Sequence, residues 1–305
     1  MTPTGDFHEL AAPAQWQSID FISDLHLHES EPANFLAWRR YLETSSADAI
    51  FILGDLFEVW VGDDCLEGAA GAANANAANP TNLVARHLGI PFEDRCRRVL
   101  HYCAQHKPVF FMHGNRDFLV GSTALQACGM QLLPDPTVLT FGCLRYLLSH
   151  GDALCLADVD YQNFRSKVRS AAWQAEFLAH PLPQRQQMAR DMRAQSEARK
   201  AQGGPWIDLD PTATASWMHA ARADHMVHGH THEGADHSVP APAQPSGQGT
   251  RHVLCDWHAD SVPPRAQVLR LSKDGSAASP RSVRAQRLPV AAATVSASSS
   301  AAAAQ

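Results

Sequence analysis

IDFISDLHL, residues 19–27, is a short and almost continuously apolar run that ends on an aspartate and a histidine two positions apart. Runs of this length fit strands buried on both faces, and in sheets of such strands ligands gather beyond the carboxyl ends. Four later stretches repeat the plan: AIFILGD (49–55), PVFFMHGNRD (108–117), RYLLSHGD (145–152) and HMVHGHTH (225–232). Helix-like segments separate several of them, PANFLAWRRYLETS (32–45) and FEDRCRRVLHYCAQH (92–106) among them, so the chain is expected to be α/β.

Each of the five runs delivers hard or borderline metal ligands at its end: Asp24 and His26, Asp55, Asn115, His150, and His230 with His232. Taken singly they are ordinary, because an Asp or Asn after a strand commonly caps or turns the chain and a lone His is commonly just hydrogen-bonded. Taken together they have the composition of a two-metal oxygen/nitrogen site. On an extended chain Asp24 and His26 would point the same way. A carboxylate such as Asp55 can bridge two cations roughly 4 Å apart, the separation at which both act on one phosphoryl group.

The bulk numbers narrow the class. At 33.2 kDa the chain can bury a full core, and its formal charge of −6 argues against a broad grip on nucleic acid, which needs a basic face. Nothing in the sequence points to a protein partner. The seven cysteines are odd in number, contain no C-x-x-C pair and sit mostly in apolar runs, as expected of reduced core residues in a cytosolic protein. The opening MTPTGDFHELAAPAQW has neither the basic start nor the apolar stretch of a secretory signal, and no segment reads as a membrane span. A cytoplasmic location is expected.

Along the chain, residues 1–17 read as an extension and residues 18–154 with 218–273 as the core. Within the core, LEGAAGAANANAANPTN (66–82) reads as a flexible insertion. Residues 155–217 form a helical cap insertion, read as a hairpin: Phe164, Val168, Trp173 and Phe177 keep helical spacing, Pro181 and Pro183 break it, and QRQQMARDMRAQSEARK resumes it. Between residues 164 and 200 this segment carries eight Lys/Arg against three acids, a mixture that fits an anionic membrane surface or a solvated helical face. The Ala/Ser-rich tail, 274–305, is expected to be disordered.

The order D-x-H, G-D, G-N, H, G-H-x-H, here Asp24-Leu25-His26, Gly54-Asp55, Gly114-Asn115, His150 and Gly229-His230-Thr231-His232, resembles the calcineurin-like metallophosphoesterase superfamily. The resemblance implies a sandwich of two mixed sheets flanked by helices. It places one metal on Asp24, His26, Asp55 and His232, and a second on Asp55, Asn115, His150 and His230. The longer words SDLHL, ILGDLFEVWVGDD, HGNRDFLVG, SHGDALC, YQNFR and HGHTH are similar to the UDP-2,3-diacylglucosamine pyrophosphatases of lipid A biosynthesis, over roughly residues 18–272. That family implies hydrolysis of UDP-2,3-diacylglucosamine to UMP and 2,3-diacylglucosamine 1-phosphate with two divalent ions, usually Mn2+, and peripheral contact with the cytoplasmic face of the inner membrane. Trp60, Asp63 and Asp64 belong to the family words and are expected to pack and cap a loop.

Arg116 connects the resemblance to chemistry. Many metallophosphoesterases carry His after the Asn, placed to protonate a leaving alkoxide, whereas a guanidinium stays charged and instead clamps phosphate oxygens with a forked pair of hydrogen bonds. A leaving group that is already a phosphate needs less acid, so Arg116 favours a pyrophosphate substrate; the alternative for the residue is a structural pairing with Asp117. Asn115, Arg116 and His230 are therefore expected at the substrate phosphate, with Asn115 and Arg116 catalytic. The family also implies substrate contacts at Asp158, which could equally cap a helix, and at Ser196. Lys200 stands where the family's cap has Asn or Thr, and Gly203 where it has Lys, so Lys200 would have to supply the charge from a shifted position. The functional alternative is another metallophosphoesterase, a phosphodiesterase or nucleotide pyrophosphatase. A binding protein that kept the fold without turnover would be expected to have lost some of the ligands.

Overall fold

The computed structural model describes residues 7–66, 90–201, 207–241, 247–273 and 283–290. Its elements run β1 (His8–Ala11), β2 (Ser18–Ile22), α1 (Pro32–Thr44), β3 (Ala49–Leu53), α2 (Phe92–Ala104), β4 (Val109–Met112), α3 (Ser122–Cys128), β5 (Met130–Leu133), β6 (Thr137–Phe141) and β7 (Leu144–Ser149). They continue with α4 (Val159–Val168), α5 (Ala171–Ala179), α6 (Leu182–Ala201), α7 (Pro211–Ala220), β8 (His225–His228), β9 (Asp236–Pro240), β10 (Gln248–Val253), β11 (Gln267–Lys273) and β12 (Val283–Pro289). The strands form two six-stranded sheets, ordered β1-β6-β7-β8-β10-β9 and β12-β11-β2-β3-β4-β5. Both are mixed: β2 through β5 pair in parallel while β11 runs antiparallel to β2 and to β12, and β7, β8 and β10 are parallel while β6 runs antiparallel to β7 and β9 to β10.

The period-2 alternation of a strand explains the layering. In β3, Ile50 and Ile52 face the helices α1–α3, while Ala49, Phe51 and Leu53 face the second sheet. β4 does the same with Val109 and Phe111 against Phe110 and Met112. Between the sheets Phe51 stacks on Phe21 at 5.0 Å and on Phe110 at 4.7 Å, so truncating Phe51 to Ala would cost about 3–5 kcal/mol. On the far side α7 packs Trp217 and Met218 against Leu147 and Met226. One buried acid interrupts the apolar layers: Asp20 accepts two bonds from Arg270, at 2.7 and 2.8 Å, and one from the Tyr41 hydroxyl at 2.8 Å.

Four expectations differ from what is found. The extension 1–17 contributes β1, which pairs in parallel with β6, and the tail expected to lack order contributes β12, paired with β11 over seven residues. Both are edge strands with mostly exposed side chains, so their order comes from main-chain ladders and not from the apolar bulk a sequence pattern detects. The expected hairpin is three helices, because Ser170 accepts the Trp173 N–H and starts α5 afresh, while Pro183 lies in the first turn of α6, where no backbone N–H is needed. α7 begins at Pro211, inside the expected cap, yet packs on the core. Residues 67–82 of the Ala/Asn-rich insertion, and 274–282 and 291–305 of the tail, lie outside the described residues.

Candidate metal centre

β2, β3 and β4 are neighbours in one sheet and β7 and β8 in the other, so the loops leaving their carboxyl ends meet where the two sheets adjoin. The loops are laced by backbone bonds: Asp24 N–H donates to Gly54 O and His26 N–H to Asp55 O, both at 3.1 Å, and Gly229 N–H donates to His150 O at 3.0 Å. Asp24 and His26 do not converge as an extended chain would bring them. Both are left-handed, with φ of 53° and 49°, as are Asp55 (52°), His230 (68°) and His232 (64°). Non-glycine residues in this region cost on the order of 1–3 kcal/mol each, strain that is characteristic of functional sites.

The ligand atoms fall into two groups, Asp24–His26–His232 and Asp24–Asp55–His150, with the atoms of each within 4.8 Å of one another. Asp24 belongs to both groups, and Asp55, a member of the second, also reaches toward the first, with Oδ2 4.0 Å from His26 Nε2 and Oδ1 3.7 Å from His150 Nε2. Asn115 Oδ1 lies 3.0 Å from His150 Nε2 and 2.9 Å from His230 Nδ1. His26 Nε2 and His232 Nε2 face each other at 3.4 Å. Buried carboxylates and imidazole nitrogens aimed at shared points match the donor set of divalent cations, and the seven residues expected as ligands are all brought together here.

Protonation reflects the same crowding. Burial alone would lower His150, but the Asp55, Asp24 and Asp152 carboxylates raise it to about 9. His232, likewise opposed by burial, is raised to about 10 by its contacts with Asp24 and Asp256. His230 is lowered to about 4 by burial and by the neighbouring His150. Asp24 is held well below the usual carboxylate range: burial opposes this, and His232, His150 and His26 outweigh it. Without cations, then, protons on His150 and His232 balance the buried carboxylates.

Several supports escape a reading of the sequence. His150 Nδ1–H donates to Leu53 O at 2.9 Å, which leaves Nε2 for the site, because a carbonyl can only accept. Glu58 stands 3.1 Å from His26 Nδ1, and Asp256 3.5 Å from His232 Nδ1. Asp152 receives the Tyr161 hydroxyl at 2.6 Å and Arg165 Nε at 2.7 Å, and Tyr161 in turn stacks on His230 at 5.8 Å. The words FEVWVGDD and SHGD contain Glu58 and Asp152, but an acid's partner is visible only in space. His228 is buried beneath the centre and donates from Nδ1 to Gly229 O at 2.8 Å; burial lowers its pKa to about 3.

Arg116 does not pair with Asp117 in the way its structural alternative requires. Asp117 takes backbone N–H groups from Leu56 and Gly114, both at 2.8 Å. Arg116 donates its own N–H to Asp55 Oδ1 at 2.8 Å, and its buried Nε has no hydrogen-bond partner among the described residues. A recess beside Asn115 is closed by Phe118, Tyr161, Phe164 and Arg165, which places the cap's first helix over the strand ends. Asp158 caps that helix, accepting Tyr161 N–H at 3.0 Å. Ser196 is exposed on α6, and the Lys200 side chain lies outside the described residues. Asp63 accepts Gly121 and Ala124 N–H groups at the start of α3 and Trp60 Nε1–H at 3.1 Å, while Asp64 pairs with Arg185 of α6. Cys96, Cys103, Cys128, Cys155 and Cys255 are buried thiols; Cys143, in the β6–β7 turn, is exposed.

Residues 18–234 match the model of the calcineurin-like phosphoesterase family. A UDP-2,3-diacylglucosamine hydrolase of Xanthomonas oryzae pv. oryzae is 40% identical over 266 residues, spanning 84% of this chain and 95% of the relative. One of Bordetella pertussis is 37% identical over 257 residues, spanning 83% and 91%. Among solved structures, a zinc-complexed Vps29 of Entamoeba histolytica aligns at 14% identity and a TM-score of 0.35, covering 90% of this chain and 99% of its own. Family match, two mixed sheets and the gathered ligands agree: the chain is a metal-dependent hydrolase that belongs to the calcineurin-like phosphoesterases, in the family of the UDP-2,3-diacylglucosamine hydrolases.

Proposed function

We propose that the protein hydrolyses the pyrophosphate bond of UDP-2,3-diacylglucosamine, yielding UMP and 2,3-diacylglucosamine 1-phosphate, with two divalent cations, Mn2+ by family resemblance. The observation that carries the reading is the pairing of two ligand groups through their shared Asp24, with an Arg116 whose buried Nε is unspent. Bound cations supply Lewis acidity to a phosphoryl group and lower the pKa of water.

The chain's residues divide the remaining work. Asp24, His26, Asp55 and His232 would hold one cation, and Asp55, Asn115, His150 and His230 the other. Arg116, fixed through its N–H on Asp55, offers donors to the charge that develops on phosphate oxygens. It cannot give up a proton at neutral pH, which suits a phosphate leaving group. Tyr161 and Phe118 wall the recess beside Asn115 and would border one side of a bound phosphate.

The lipid end of the substrate is assigned to the cap. Val159 and Phe164 on α4 and Leu178 on α5 are exposed apolar residues in a cap that also carries Arg165 and Lys167 on α4, Arg169 at its end and Arg190 on α6, a mixture suited to acyl chains and to an anionic surface. No helix among the described residues is long and apolar enough to cross a membrane, and peripheral contact with the cytoplasmic face of the inner membrane is part of the proposal. Ser196, Lys200 and Asp158 are proposed substrate contacts; Asp158 would have to serve while capping α4. The test is UMP release from UDP-2,3-diacylglucosamine by the metal-loaded protein, expected to be Mn2+-dependent. A folded, metal-loaded sample that releases no UMP overturns the substrate, and release of nucleotide from simple phosphodiesters at a comparable rate favours the broader phosphoesterase reading.

A further inference from the structure

Glu58 stands between the two parts of the molecule that enclose the site. It lies three residues beyond Asp55, and its N–H donates to Leu27 O at 3.2 Å, which pins it to the loop that carries His26. Its Oε2 is 3.1 Å from His26 Nδ1, and its Oε1 pairs with the Arg193 guanidinium of α6. The Glu58 side chain is only 16% exposed, so this charge is poorly screened.

His26 Nδ1 lies at ion-pair distance from that carboxylate without a completed hydrogen bond, and a negative charge beside it favours N–H there, which leaves the lone pair on Nε2. Nε2 is the atom that faces His232 at 3.4 Å and Asp55 at 4.0 Å. We propose that Glu58 is a positioning residue of the metal centre: it sets the tautomer and ring orientation of His26 and, through Arg193, ties that ligand to the cap. The proposal rests on reading His26 as a metal ligand. The carboxylate makes His26 a stronger donor, whereas Arg193 draws on the same charge, so the two residues act on cation affinity with opposite sign. Arg185 on Asp64 is a second tie between α6 and the core that touches no ligand, and it serves as the internal control.

The test is Mn2+ binding to the metal-stripped full chain, followed by calorimetry and by low-temperature electron paramagnetic resonance to count coupled ion pairs. Glu58→Gln, nearly isosteric, is expected to weaken one of the two sites by about 10–100-fold and to leave the other unchanged. Arg193→Ala is expected to keep or raise the affinity, and Asp64→Asn to leave it unaltered. Wild-type affinity at both sites in a folded Glu58→Gln protein overturns the proposal. So does an equal loss in Asp64→Asn, which would mark general loosening of the cap. His26→Ala separates the two levels: if it fails to weaken Mn2+ binding, the metal-centre reading itself falls, and if it does so while Glu58→Gln does not, only the positioning role falls.

Discussion

At the strand ends the ligands are pinned by backbone: left-handed residues locked by main-chain bonds between loops, every loop rooted in a strand with a neighbour on both sides. Across the recess the cap is held chiefly by side chains, Arg165 and Arg169 on Asp152, Arg185 on Asp64 and Arg193 on Glu58, with Trp173 and Phe177 packed on the core. On the proposed function the difference makes sense: chemistry at a phosphorus atom tolerates little positional error, whereas a surface that is to admit a bulky amphiphile must give way. The first job demands main-chain rigidity, and the second is met by a few charge pairs that can be remade.

The sharpest way to break this contrast is at Asp55, which the proposed assignment gives to both cations and which lies between His26 and His150. Asp55→Ala is expected to lower turnover by at least a factor of roughly 10²–10³ and to reduce bound metal, measured by UMP release alongside metal analysis. Arg116→Ala is expected to slow turnover about a hundredfold with metal content intact; parallel loss of both would make it a structural residue. On the cap side, Arg185→Ala should raise KM several-fold and leave Mn2+ affinity unchanged. His228→Gln should be mildest, because His228 supports the backbone beneath the centre without facing it.

Protonation offers a finer probe of the rigid half. In metal-free protein His150 and His232 titrate near 9 and 10, above the ordinary histidine value. Their contribution to stability is therefore complete below about pH 6.5 and is lost as pH rises through 9–10. On the proposed assignment cations would take the place of those protons. Melting temperature in chelator is expected to fall between pH 7 and 9.5, to fall less with saturating Mn2+, and Mn2+ binding at pH 7.5 in weak buffer should release protons.

The same contrast explains what could be read from the sequence. Asp24, His26, Asp55, Asn115, His150, His230 and His232 were legible because each follows a strand whose apolar run announces it. Their geometry was not, since an extended chain predicts the D-x-H convergence for the wrong reason and the left-handed turns depend on bonds from other loops. Glu58 and Asp256 were invisible as supports, because their value lies in a distance across the fold. The edge strands β1 and β12 are polar and carry no burial pattern, so only their partners reveal them. In the cap, helical spacing was readable, but the break at Ser170 depends on a single capping hydroxyl.

Gly54, at φ +88°, passes so close to the loop after β4 that a side-chain carbon there would sit 2.6 Å from Gly114 Cα. Two of the ligand loops thus abut with no slack, and any side chain at this crossing would have to drive the backbone of one ligand loop away from the other and from the His150 ring.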